Sequence, residues 1–566
     1  MRLILRTMPI LILLTALSST LTVTGCQHAT PTPLPVVRTL THIAIVALTP
    51  SSSTDYSMQP ATKDPPSTPL PTATPTFTPT PTSTPTTTPT TTPTPAANPS
   101  TAIETAPLTS NNAEGNRTST VEPSTPSPVG VYWPTQASYH IEVELDYWGH
   151  AFRAQEWLVF TNTLGLTLDD LLLSVPVNGT DATFGLSSLT VNGESAIYAL
   201  DDTSLRVELP DMLLPGQSVL VEGTFEVSAP YMRVDSIFGG GSVGYSENAF
   251  NAGNWYPVLA PYHADKGWLV TPWHPVGDPY VTDMGAYVVE VHTSPDVTVV
   301  GPGALEGWPD EGRWRFTLPL ARTFAFAASH RYESAVETAY GITIASYYYP
   351  EHQLTGQLAL ANAAAAVKLF SDLYGPYPYP DLRIAETDFS GGQEFSGFML
   401  FGSGTHQDYL DAGGGQRTIL FALIPHETAH QWWYSAVGND QAREPWLDEA
   451  LAKYSEQLFY ERLYPEHAEW RWASMGNLER QPESLEVTIY DYASKLAYQS
   501  RVYLNGALFV AQLRQALGDD AFFDLIQAHY RQGSNRIVTA EEFLSLLPQH
   551  GDRAATQPIV EAFFNP

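Results

Sequence analysis

The sequence predicts an α+β protein in which a strand-rich half precedes a mainly helical half. Three observations carry this reading. YHIEVELDY (139–147) alternates strictly, placing Ile141, Val143, Leu145 and Tyr147 on one face. LTVNGESAIYAL (189–200) sets an Asn192-Gly193 turn between two extended runs, a strong hairpin signal. QLTGQLALANAAAAVKLFSDLYG (353–375) is rich in Ala and Leu, lacks proline and closes on Gly375, as a helix does.

From the N-terminus, residues 1–26 carry Arg2 and Arg6, then an apolar run broken by Ser and Thr, then small residues ahead of Cys26. This is the layout of an export signal, too short for a spanning helix. Its ending, VTGC, resembles the lipobox of bacterial lipoproteins, which implies that Cys26 is lipidated and becomes the mature N-terminus. Cys26 is the single cysteine of the 566 residues, so disulfides within the chain and zinc–thiolate sites are excluded. The expected location is extracytoplasmic, with a lipid anchor in the bacterial cell envelope.

Residues 27–134 are dominated by Pro/Thr tracts such as TPTATPTFTPTPTSTPTTTPTTTPTPAANP. They hold too few core-forming side chains to offset the entropy of ordering. A disordered, semi-extended stalk is expected, reaching at most ~300 Å at ~3.1 Å per residue. The rest is long enough for two domains, a β-domain over 135–345 and a helical one over 346–566. SVLVEGTFEV (218–227), AYVVEVHT (286–293) and RWRFTLPL (313–320) add strands to the first. In the second, LRIAE (382–386) reads as a short strand, and helices are expected around 426–437, 446–461, 499–516, 519–531 and 539–547. No repeat of 20–50 residues is present. The net charge of −32 argues against nucleic-acid binding, which needs a basic stripe.

HETAHQWWYSAVGNDQAREPWLDEALAKY (426–454) carries the chemistry. Residues four apart on a helix share a face, so His426 and His430 can both reach one Zn²⁺ at ~2.0–2.1 Å. Glu427, one step round, can act on water at the metal without ligating it. Pro425 predicts that this helix begins or bends there. A third protein ligand is needed, and Asp440, Glu444, Asp448, Glu449 and Glu456 all qualify. The following helix has its apolar stripe at Leu447, Leu451, Tyr454 and Leu458, which does not choose among them. His263, His274, His330 and His406 lie in loop-like contexts at no ligand spacing and are expected to be surface or structural residues.

HETAHQWW followed by WLDEALAKY resembles the gluzincin aminopeptidases, the aminopeptidase N-like family. Their signature is H-E-x-x-H, eighteen residues, then Glu within W-L-N-E-G. Eighteen residues separate His430 from Glu449, with Asp448 and Ala450 in place of the usual Asn and Gly. LYGPYPYPDLRIAE (373–386) and NWYPVLAPY (254–262) extend the resemblance over about 135–550. It implies a saddle-like β-domain followed by a thermolysin-like catalytic domain, without the large C-terminal domain of full-length members. It also implies one Zn²⁺ per chain, held by His426, His430 and Glu449, with Glu427 as general base.

Two further roles follow from the resemblance. GGQEF (391–395) matches the G-x-M-E-N strand that binds the peptide backbone, with Gln393 and Phe395 replacing Met and Asn. Glu394 is the implied anchor for the free α-amine. Tyr503 in SRVYLNGALFV (500–510) matches the tyrosine that donates to the oxyanion, and Tyr498 would also line the site. The function so implied is zinc-dependent hydrolysis of peptide bonds in extracytoplasmic peptides, as an aminopeptidase. The competing readings are an endopeptidase or dipeptide-releasing enzyme, and a non-catalytic surface binding protein on a peptidase fold.

Overall fold

The computed structural model describes residues 131–232, 242–476 and 480–564. The export signal, Cys26 and the stalk up to residue 130 lie outside them, whereas Tyr132–Trp133, expected in the stalk, form a strand paired with Tyr262–His263, so the folded part begins a few residues before 135. Among the described residues no helix is long and apolar enough to cross a membrane.

The first half is built on an eight-stranded sheet. At its centre Ala137–Asp146 pairs antiparallel with Ala151–Thr161 and parallel with Gly285–His292. Ser218–Ser228 and Thr183–Val191 extend it on one side, and Arg313–Ala321 with Ala304–Trp308 on the other. Alternation dictates this, since Ile141, Val143, Leu145 and Tyr147 are all buried while their neighbours face outward. A second sheet of four strands includes Leu168–Ser174 and Ser204–Leu213. The Asn192-Gly193 turn is present, with positive φ at both residues and Val191 opposite Glu194. Its return strand is only Glu194–Ser195, because Tyr198–Asp201 leaves to pair with Ser204–Leu213 in the second sheet.

The second half wraps helices around a five-stranded sheet in the order Glu333–Ala339, Ile342–Tyr348, Asp381–Thr387, Phe398–Gly402, Gly392–Phe395. The first two of these strands begin ahead of residue 346, so this sheet draws in chain from before the expected change of domain. Helix α1 (Gln353–Tyr374) makes the crossover between the parallel strands Ile342–Tyr348 and Asp381–Thr387. Helix α2 (Ser403–Asp411) follows the sheet, then α3 (Ile419–Ala429) and α4 (Trp446–Leu463). The helix expected at 426–437 is therefore displaced. α3 starts well before Pro425 and runs through it, and the chain turns after His430. Pro425 removes one backbone hydrogen bond, at ~3 kcal/mol in a helix interior. ILFALIPHETA is almost wholly buried, and burial of a single Leu or Phe contributes ~1.5–3 kcal/mol, so packing outweighs the proline.

One buried cation ties the halves together. Arg322, at the end of the strand Arg313–Ala321, is 2 % exposed. Its Nε donates to the Tyr434 carbonyl at 2.8 Å, Nη1 to Thr282 at 2.6 Å and Nη2 to Arg536 at 3.0 Å. Two loops and the short strand Arg536–Ile537 thus meet on one guanidinium, whose rigid fork suits several carbonyls at once. Gly438 packs against that guanidinium, where a Cβ would collide with it. Replacing Arg322 with Met should leave these carbonyls without donors and lower unfolding stability by about 3 kcal/mol or more. Urea titration of the full chain checks this, and an unchanged midpoint would remove Arg322 from its joining role.

Candidate metal centre and active site

α3 and the turn after it carry the two histidines. His426 lies in the last turn of α3, and His430 follows at its C-terminal boundary, still with helical backbone angles. Their rings stand 4.9 Å apart and perpendicular. His430 Nδ1 lies 3.0 Å from the Trp433 carbonyl, which takes the N–H and leaves the Nε2 lone pair facing the site. α4 presents Glu449 from its first turn. Glu449 Oε2 is 3.4 Å from Nε2 of His426 and 3.5 Å from Nε2 of His430. Two ligands at 2.0–2.1 Å from a tetrahedral ion stand ~3.3 Å apart, so this set fits zinc. Glu449 Oε2 is buried and accepts no hydrogen bond, as a ligand atom would.

The other candidate ligands are engaged elsewhere. Asp440 accepts from Tyr132 and Arg443, each at 2.8 Å, and Glu444 accepts from the backbone N–H of Ala540 at 3.0 Å. Glu456 pairs with Lys453 and Arg471. Asp448 accepts from Asn439 at 3.1 Å, from Gln441 at 2.9 Å and from the backbone N–H of Glu449 at 2.9 Å. It therefore fixes the start of α4 instead of ligating. α4 is buried from Trp446 to Tyr460 on nearly every side, which is why a single apolar stripe did not describe it.

Glu427 is 3 % exposed and sits beside the edge strand Gly392–Phe395. A Cβ on Gly392 would come within 2.5 Å of Glu427 Oε1, so glycine lets the strand approach the carboxylate. Oxygens of Glu394 and Glu427 and a nitrogen of His430 lie within 4.8 Å of one another. Tyr503 donates its hydroxyl to Glu449 Oε1, and its ring stacks on His426 at 5.9 Å. Tyr498 meets Tyr503 edge-on at 5.8 Å. Tyr503 lies on a π-helical stretch, Ser500–Asn505, inserted between Lys495–Gln499 and Gly506–Leu517. The expected continuous helix over 499–516 is thus interrupted, as happens often at functional sites. Gly506 follows because a Cβ there would stand 2.5 Å from that of Ala450. The glycine after Tyr503 and the alanine after Glu449 are one close packing contact.

Asp278 also reaches the site, and sequence reading missed it. It comes from the β-rich half and lines a recess with Trp273, Gln393, Tyr498 and Tyr503. No spacing ties it to the histidines, since the fold alone brings it there. Burial, then Glu394 and Glu449, push the Asp278 carboxyl well up. Burial, then Glu394, does the same to Glu427, and Asp448 is raised to about 7 by burial and Glu449. Burial alone would raise Glu449, but His430 and His426 hold it down to about 2.

The remaining histidines need two corrections, the first being His263, which lies on the strand Tyr262–His263 and is buried, not in a loop. His406 is not in a loop but on α2, 2 % exposed, and with His352 and Glu386 it forms a second buried cluster. His352 bonds Glu386 through Nδ1, while His406 Nδ1 pairs with Thr355 Oγ1 at 2.8 Å. Neither His352 nor Glu386 stands at a helical spacing from His406, so only the fold assembles them.

Residues 359–566 match the peptidase family M1 domain. The aminopeptidase M1-B of Oryza sativa subsp. japonica is 27% identical over 207 residues, 34% of this chain and 24% of that one. The aminopeptidase N of Lactobacillus delbrueckii subsp. lactis is 28% identical over 218 residues, 35% of this chain and 25% of its own. The chain thus spans about a quarter of the length of the curated relatives it matches. An M1 zinc metallopeptidase from Deinococcus radiodurans superposes over 77% of this chain and 94% of its own, with a TM-score of 0.57 at 18% identity. That likeness covers both the β-rich half and the helical half. With the donor set of His426, His430 and Glu449 inside the matched segment, residues 359–566 are similar to the peptidase family M1 domain, and the described residues share the fold of a two-domain M1 zinc metallopeptidase.

Proposed function

We propose that the protein is a zinc aminopeptidase acting on peptides outside the cytoplasm. The observation that carries this reading is the convergence of Glu394 and Glu427 on the His430 side of the donor set. His426, His430 and Glu449 would hold the zinc, which supplies Lewis-acid polarisation of the scissile carbonyl and the attacking water. Glu427 takes a proton from that water and passes it to the leaving amine. Burial raises its affinity for the proton, which suits a group that must hold one between the two transfers. Tyr503 offers an O–H donor beside Glu449 for charge developing on the carbonyl oxygen.

Among the described residues the edge strand Gly392–Phe395 pairs on one side only, with Phe398–Gly402, so its other edge would suit an extended peptide. Glu394 on that strand would accept the substrate's α-ammonium in charge-assisted hydrogen bonds. Asp278 adds a second carboxylate, close enough to Glu394 for their charges to repel. This pairing favours an exopeptidase over an endopeptidase, because a neutral backbone would leave both acids without a cationic partner. An export signal ending in VTGC and the lone cysteine support a lipid anchor at Cys26 in the bacterial envelope.

Three outcomes are expected. Glu427→Gln keeps its zinc by metal analysis and loses roughly 10²–10⁴-fold in kcat; full activity would sink the assignment, as would a chelator without effect on the wild type. Free-amine peptides are cleaved and their N-acetylated forms are not, and Glu394→Gln raises KM for the former; equal cleavage of both forms points to an endopeptidase. In a bacterial host, labelled fatty acid enters the wild type and not Cys26→Ala, which leaves the membrane fraction. Label in both would refute the anchor.

A further inference from the structure

The site has a second, oppositely charged recess. It measures about 320 Å³ and is lined by Arg417, Leu423, Lys453, Glu456, Trp470 and Arg471. Leu423 stands one helical turn before Glu427 on α3, and Lys453 one turn after Glu449 on α4, so the recess continues the faces that carry the catalytic groups. Glu456, which lines the recess, has its Oε2 4.0 Å from Nδ1 of His426, so the recess borders the His426 side of the centre. No lining residue is shared with the Asp278 recess.

Three cations here face one carboxylate. Glu456 is shared by Lys453, at 2.7 Å, and Arg471. Arg417 makes no ion pair among the described residues and lies over the Trp470 ring at 5.5 Å. A cationic excess is unexpected in a chain of net charge −32. The acids Glu394 and Asp278 flank the centre by His430, and the bases flank it by His426. Such polarity complements a short zwitterion lying across the metal centre, with its ammonium among the acids and an anion among the bases.

We propose that this recess binds a carboxylate of the peptide downstream of the scissile bond, so that the enzyme selects short or acidic peptides. The reading rests on the proposed peptidase function. The carboxylate is the C-terminus of a short substrate or an acidic side chain just beyond the cleaved bond. Both offer the planar bidentate acceptor that a free guanidinium recognises.

The test compares kcat/KM of the zinc-loaded full chain on four peptides: Ala-Ala-Ala as free acid and as amide, and the amides of Ala-Glu-Ala and Ala-Gln-Ala. The free acid should exceed its amide, or the Glu peptide its Gln partner, by roughly tenfold, equivalent to ~1.4 kcal/mol. The first result assigns the C-terminus and the second the side chain. Arg417→Gln should bring the preference to near unity with the rate on Ala-Ala-Ala amide unchanged, and Arg417→Lys should keep part of it. Equal rates on all four, or a preference intact in Arg417→Gln, overturns the proposal. Calorimetry of the same peptides on Glu427→Gln reads the preference without turnover. Preferential binding without wild-type hydrolysis counts against the peptidase reading alone; hydrolysis without preference counts against the recess alone.

Discussion

Negative charge held out of water governs this molecule. Glu427, Asp448 and Glu449 are all under 5 % exposed, and Glu394 and Asp278 stand beside them, opposed chiefly by the imidazoles of His426 and His430. A buried carboxylate without a partner is strongly disfavoured, so each must accept donors, keep a proton or share a cation. All three solutions are visible. Asp448 accepts three hydrogen bonds, Glu427 and Asp278 have raised proton affinity, and Glu449 meets two histidines at ligand spacing. A divalent ion resolves the rest, which makes the donor set a requirement of the fold as much as of the chemistry.

That requirement explains features far from the metal. α3 must deliver His426 and His430 in fixed orientation, and it does so as a largely buried helix that tolerates a proline. Gly392, Gly506 and Ala450 are small because backbones close in around the carboxylates. Arg322 anchors the turn after His430 through the Tyr434 carbonyl and joins it to the β-rich half, from which Asp278 enters the cleft. The β-rich half is therefore part of the active site. The centre also has a direction, with acids on the His430 side and bases on the His426 side, and a bound peptide would lie along it.

Much of this was legible in the residues, and the reasons differ by element. Strict alternation in 139–147 identified a strand with one buried face because side-chain period and burial coincide there. HETAH identified two candidate ligands and a candidate base because helical geometry is local. Glu449 needed the family resemblance, since five acids qualified by position and only packing shows what occupies the other four. Pro425 misled because a local penalty was weighed without the burial that exceeds it. The π-helical stretch before Gly506 and the short return strand after Gly193 were hidden for the same reason: each depends on neighbours remote in sequence.

By itself, then, the sequence determined the α+β order, the helix that carries His426, Glu427 and His430, and a short acidic run that holds Glu449. These rest on periodicity and spacing, which act over a few residues. Only the tertiary structure decided that Asp278 comes near Glu394, that Tyr503 rests on Glu449, that His352 and His406 meet Glu386, and that Arg417, Lys453 and Arg471 line one recess with Glu456. Each of these sets combines residues from separate elements, and no local rule records where a chain will return to meet itself.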